Sequence, residues 1–427
     1  MTLIFFNRAR VQYEITQHPK LALQISTPMG EALSVALQSH RDALQLEQDN
    51  ADVLFNTAQV LTSLAEAVTD TKRPIEEKLN QAAKLLQEAI ELFQRCLVLQ
   101  ELKFTEMQEQ IRQMESGEVV QSPQEPSARE SADEQPQESE QEQEQWAAVV
   151  EPVTRDTLMD TAIAQLEALT TLCSLLTYDP SVGLNWVEEY SANLLQNKIS
   201  AYVEGSNRFH EAALAGAKFS AGLNEVLYRS GRINAETYHG AVVNAFSQEL
   251  NISANPEGLC AKADALISFN TATADQPPSN DQEAYAKLTT LRWQALSSAV
   301  EALTKASKLP GAENLPKIHL ARGDTEMSRW RLGFPPWEHS TAQQYGVTLL
   351  RNAQTYYRGA AALARRDGSS DELRDGTCKE AIAAAIEGQK EKLAQLKGTA
   401  PKELLLVAEE IVEEGWVIGP DMEALLS

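Results

Sequence analysis

Six histidines and four cysteines are the side chains best suited to nucleophilic or metal chemistry, and their spacing supports neither. His18, His40, His210, His239, His319 and His339 have no carboxylate or Cys neighbour at the spacing of a catalytic triad or a zinc site. Cys96, Cys173, Cys260 and Cys378 lie far apart and form no CxxC pair, so they read as reduced core thiols. No phosphate-cradling or nucleophile-elbow pattern occurs. Acid pairs such as Glu409-Glu410 and Glu413-Glu414 fall on a predicted helix and read as a solvated face. The expectation is a protein without catalytic residues, cofactor or metal, and not an enzyme.

The remaining chemistry is recognition. The stretch "LARGDTEMSRWRLGFPPWEHS" gathers Arg322, Arg329, Arg331, Trp330 and Trp337 on one predicted helix and its exit loop. Arg and Trp are enriched at binding hot spots, because they join planar donors to large apolar surfaces. Arg322, Arg329 and Trp330 are therefore candidate partner-binding residues, with packing between helices as the plainer role for Trp330. "RNAQTYYRGAAALARR" adds Tyr356, which faces outward if Tyr357 takes the core-packing position. Arg322-Gly323-Asp324 spells an adhesion motif but lies within a predicted helix rather than on a loop.

The elements that must hold these residues are helices. Ala, Leu, Gln and Glu abound, whereas 20 Gly and 17 Pro are few for 427 residues. With 43 % hydrophobic residues the chain can bury a sizeable core. In "ALSVALQSHRDALQLEQDNADVLFNTAQVLTSLAEA", Ala32, Leu33, Ala36, Leu37, Ala43, Leu44 and Leu46 fall on one helical stripe. Gln48 to Asn50 break it, and Ala51 starts a second helix with Leu54, Ala58, Leu61 and Ala65 on one face. Small residues at a crossing let two helices approach closely, while large ones fill the flanks.

This arrangement resembles the tetratricopeptide repeat (TPR), an antiparallel helix pair recurring about every 34 residues. Ala36, His40 and Ala43 take its second-helix places; Leu54, Ala58 and Leu61 take the Trp, Gly and Tyr places of its first helix. The second-helix spacing returns at Ala82, Leu86 and Ala89, at Ala299, Leu303 and Ala306, and at Ala353, Tyr357 and Ala360. "KIHLARGDTEMSRWRLG" reads as a first helix with Gly323 at the close-packing position. The resemblance implies an all-α right-handed solenoid of about six or seven helix pairs with a concave, peptide-holding surface.

Three segments are expected: TPR-like pairs over 1–116, a disordered acidic linker over 117–145, and a second array over 146–427. The linker is rich in Glu, Gln, Ser and Pro and too poor in apolar residues to order. Order restarts at Trp146, with Val149 and Val150 placed to dock on the first helices and Thr154 or Asp156 to cap the next. A single helix is expected over 370–396, and Trp416 with Val417 is expected to fold back as a terminal cap. The abrupt start makes the first helix pair look incomplete.

Charge selects the partner. Net charge is −24, of which −9 lies between Glu118 and Glu151, so acidity extends beyond the linker. Direct nucleic-acid binding is disfavoured and a basic protein or peptide is the matched partner. No apolar run is long enough to span a membrane and no secretory leader is evident, so a cytoplasmic or nuclear setting is expected. The leading expectation is a non-catalytic escort or assembly factor for a basic client, as the resemblance implies for TPR proteins that escort ribosomal proteins. A second is a heat-shock co-chaperone, whose basic clamp the resemblance would place at Asn7, Arg8 and Asn56. A third is a scaffold subunit of a larger complex.

Overall fold

The computed structural model describes residues 2–22, 24–70, 74–115, 152–179, 183–277 and 282–427. The expected acidic linker, and the docking of Trp146, Val149 and Val150, lie outside the described residues. Among the described residues every regular element is helical, and helices pack mainly on their neighbours in the chain, as in an α-solenoid. None of these helices is long and apolar enough to cross a membrane. The chain divides into two compact units, Met1–Ala168 with Gln196–Arg208, and Leu169–Leu195 with Phe209–Ser427.

The first unit contains α1 (Thr2–Gln17), α2 (Pro19–Ala22), α3 (Met29–Leu46), α4 (Ala51–Thr69) and α5 (Glu76–Glu115). Short connections reverse the chain, so α3 packs on α1 and α4, and α4 on α5. The Asn50 side chain accepts hydrogen bonds from the backbone N–H groups of Asp52 and Val53, which starts α4 after the predicted break. The inward faces follow the small-residue pattern: Ala36, His40 and Ala43 on α3, Leu54, Ala58, Leu61 and Ala65 on α4, and Ala82, Leu86 and Ala89 on α5 are buried. Leu46 departs from it and is 57 % exposed. The stripe through positions 36, 40 and 43 next falls at 47, one residue further on.

The helix α6 (Arg155–Leu176) starts in the first unit and ends in the second. Of its two candidate caps, Thr154 acts: its Oγ1 accepts from Thr157 N at 3.2 Å. The second unit takes α7 (Leu184–Asn193), and α8 (Ser200–Val203) returns to the first.

The rest of the second unit comprises α9 (Phe209–Arg229), α10 (Ala235–Ala245), α11 (Pro256–Asp275), α12 (Gln282–Ala306), α13 (Leu315–Arg331), α14 (Ser340–Gln344), α15 (Gly346–Asp367), α16 (Ser370–Ile386), α17 (Glu391–Thr399), α18 (Pro401–Glu413) and α19 (Gly419–Leu426). One core gathers on α9 to α12 around Tyr238, Phe269 and Ala299. Another gathers on α13 to α19 around Tyr357, Ile382 and Trp416. Trp416 and Val417 fold back as expected: both are buried, and Trp416 Nε1 donates to Ser328 Oγ on α13 at 3.0 Å.

The helix expected over 370–396 is two helices. Gly388 takes φ of 100°, a left-handed conformation open to glycine, and its N–H bonds the Ala385 carbonyl while Gln389 N–H bonds that of Ala384. These bonds end α16 and redirect the chain into α17.

Candidate functional site

The densest grouping of recognition chemistry lies where α13 packs between α12 and α15 in the second unit. Local signals set α13 in place. Gly311 turns the chain with φ of 84°, Asn314 accepts from Lys317 N, and Pro316 occupies the first turn. Arg322, Glu326 and Arg329 then follow at i, i+4 and i+7, on one stripe.

Arg322 is 8 % exposed and lies over the Tyr356 ring at 3.9 Å. Its Nη1 reaches Ser307 Oγ at 3.4 Å and His319 Nδ1 at 3.5 Å. Arg329 lies over Trp293 at 4.3 Å and donates from Nη1 to Glu326 Oε2 at 2.9 Å. Glu326 is 2 % exposed and also accepts from Asn352 Nδ2 at 3.2 Å. Trp293 stacks on His339 with centroids 4.7 Å apart. Arg292 continues the pattern. It is 5 % exposed, lies over Trp337 at 3.9 Å, and donates from Nε to Asn270 Oδ1 at 2.9 Å. Trp337 in turn stacks on Tyr285 at 4.6 Å.

Three guanidinium groups thus lie over aromatic rings, an arrangement that favours the planar, weakly hydrated Arg head group. Their donors are incompletely used. Arg322 Nε, Arg329 Nε and Arg292 Nη1 are sealed from water and have no acceptor among the described residues. Leaving such a donor unpaired costs about 1–3 kcal/mol. Burial lowers the Arg292 pKa to about 10, so it stays cationic at neutral pH. Burial first, and then Arg322, pushes His319 down; burial and then Arg329 do the same to His339. Both shifts favour the neutral imidazole, so the arginines carry the positive charge of the site.

Sequence-nominated residues meet different fates. Arg322 and Tyr356 come together. Arg329 joins Trp293, which its own stretch of sequence did not name. Trp330 turns toward packing against Phe334, at 4.6 Å between centroids, and against the hydrophobic cores. Arg331 donates to the Gly415 carbonyl at 3.0 Å. The missed residues Arg292 and Trp293 sit in "TLRWQAL", an Arg-Trp pair of the kind that drew attention to α13. In the first unit, Asn7 and Arg8 are exposed on α1, and Asn56 Nδ2 donates to Asp52 O one turn back. No hydrogen bond or ion pair joins these three among the described residues.

The first unit also has a cleft of about 380 Å³ lined by Glu101, Phe104, Thr105, Arg155, Leu158, Ala201 and Tyr202. Its carboxylate is occupied: Glu101 accepts from Lys198 Nζ at 2.6 Å and from the Tyr202 hydroxyl. Burial raises the Tyr202 pKa, with Glu101 adding to the shift. Among the described residues no group of three His, Cys, Asp or Glu is placed to hold a metal ion. Arg322-Gly323-Asp324 is helical, and Asp324 pairs with Lys379.

No family model matches the chain. No curated protein matches it either. A similar solved structure is a "Circular tandem repeat protein with novel repeat topology and enhanced subunit contact surfaces", 14 % identical, matched over 100 % of this chain and 88 % of that one with a TM-score of 0.31. A likeness at that score assigns this chain neither a family nor a function.

Proposed function

We propose that this protein is a non-catalytic protein-interaction module, built of TPR-like helix pairs, that escorts or assembles with a basic client such as a ribosomal protein. The observation that carries the reading is the C-terminal surface. Residues 403–427 hold seven Asp and Glu and no Lys or Arg. On α18 the exposed Leu405 and Leu406, 53 % and 46 % accessible, share the outer surface with exposed Glu409 and Glu413. A Lys- and Arg-rich amphipathic segment would meet both the leucines and the carboxylates there. The free cysteines fit a reducing cytoplasmic or nuclear setting.

Affinity purification of the full chain from its own cells, at low and at high salt, tests this reading. A basic protein retained at low salt and shed at high salt supports it, because such binding is screened. A fixed set of neutral partners that survives high salt would replace it with a scaffold role.

A further inference from the structure

The second unit reverses the sign of the chain locally. Residues 315–366 carry eight Lys and Arg against three Asp and Glu, within a protein of net charge −24. Several of these cations are neutralised: Arg351 by Glu387, Arg358 by Glu380 and Arg366 by Asp367. Among the described residues Arg322 has no carboxylate partner, and Arg329 has Glu326, which Asn352 shares. Two stacked cations therefore face one carboxylate, and a positive charge is left uncompensated.

The donors of the two groups are unevenly used. Tyr356 and Trp293 lie against the two guanidinium groups, at 3.9 and 4.3 Å from ring centroid to Cζ, which reduces the ordering a ligand must impose. Each group keeps a sealed Nε without an acceptor. Among the described residues neither Nη2 makes a hydrogen bond, and neither is among the sealed, unpartnered atoms. With each Nε sealed, Nη2 is the donor left for a ligand, and a carboxylate oxygen is the charged acceptor that suits it. Positions 322 and 329 stand roughly 10 Å apart along the helix axis. An extended peptide advances about 3.4 Å per residue, so carboxylates about three residues apart span both.

We propose that the face of α13 bearing Arg322 and Arg329, with Tyr356 and Trp293, is a docking site for an acidic segment of a protein partner. It takes a ligand of opposite charge to the one proposed for α18 and uses different residues. A peptide is favoured over nucleic acid because the chain's net charge repels a continuous phosphate backbone while leaving two isolated carboxylates free to bind.

The test measures anisotropy of a short labelled Glu/Ala peptide against the full-length protein, with a Lys/Ala peptide in parallel. The expected result is binding of the Glu/Ala peptide that Arg322→Gln and Arg329→Gln each weaken about tenfold or more. Tyr356→Leu, which keeps the charge and removes the stack, weakens it by a smaller factor. Circular dichroism melts establish that each variant is folded, whether or not the Lys/Ala peptide binds. Failure of the Lys/Ala peptide alone would count against the α18 reading and leave this site standing. The proposal is overturned if the wild-type protein ignores the Glu/Ala peptide, or if folded Arg322→Gln and Arg329→Gln proteins bind it unchanged. Displacement of the Glu/Ala peptide by single-stranded DNA more readily than by unlabelled peptide would overturn it in favour of a phosphate ligand.

Discussion

A Cβ placed on Gly323 would lie 2.4 Å from Cε1 of Tyr357. The Tyr357 ring is buried against α13, and its hydroxyl donates to Asp324 Oδ1 at 2.8 Å. From the other side, a Cβ on Gly376 would come within 2.9 Å of the Tyr357 carbonyl and Ala361 N. Three helices thus cross around one tyrosine, and two glycines admit it. Gly323→Ala should destabilise the protein by about 1–3 kcal/mol despite alanine's better helix propensity, because the core has no room to give. Urea denaturation of the variant reads this; a neutral or stabilising effect would show that the α13–α15 crossing is looser than described.

Asp324 also binds Lys379, whose Nζ lies 3.0 and 3.1 Å from the two carboxylate oxygens. Lys379 is buried, and the Trp416 ring sits 5.4 Å from its ammonium. Removing one charge strands the other, whereas removing both does not. Asp324→Ala should therefore cost about 2 kcal/mol or more, kept to the low end by the partial exposure of Asp324. Adding Lys379→Met should recover much of the loss. A double-mutant cycle checks it, and additive effects would rule out the coupling.

His40 is fully buried in the first unit with the Ala9 backbone close by, and neither ring nitrogen makes a well-formed hydrogen bond among the described residues. Burial pushes its pKa down to about 4. The unfolded imidazole titrates near about 6.5, so the unfolded chain takes up the proton first as pH falls. Stability contributed by His40 is then present above about pH 6.5 and lost progressively toward pH 4, roughly 2 kcal/mol of it between pH 7.5 and 5. His40→Leu should remove this component. Melts of both proteins at several pH values decide it, and parallel pH profiles would refute the assignment.

Cys96, Cys173 and Cys378 are buried, whereas Cys260 is partly exposed. Burial raises the first two thiols to about 12 and Cys378 to about 11, and it also raises Cys260. A thiol reagent at mild alkaline pH should label Cys260 slowly in the folded protein and the other three only after unfolding. Rapid labelling of all four would mean that the cores open readily.

Helix starts and inward faces were legible from local pattern. Ala36, His40 and Ala43 lie on the buried stripe of α3, Asn50 caps α4, and Ala353, Tyr357 and Ala360 face the core of α15. Periodicity and capping involve residues a turn or two apart, so they can be read along the chain. The break at Gly388 was not, because a glycine inside a helical pattern is tolerated unless neighbouring helices require the turn. Pairing across helices was also hidden. Arg322 and Tyr356 were each nominated, but their contact depends on how α13 crosses α15. Arg329 found Trp293 on the preceding helix, while Trp330, beside it in sequence, turned toward the core. By itself the sequence determined that this protein is helical, acidic overall and locally rich in Arg and aromatic residues. Only the tertiary structure decided which ring each arginine covers and which donors stay unpaired, because helix crossing and register fix those contacts between residues far apart in the chain.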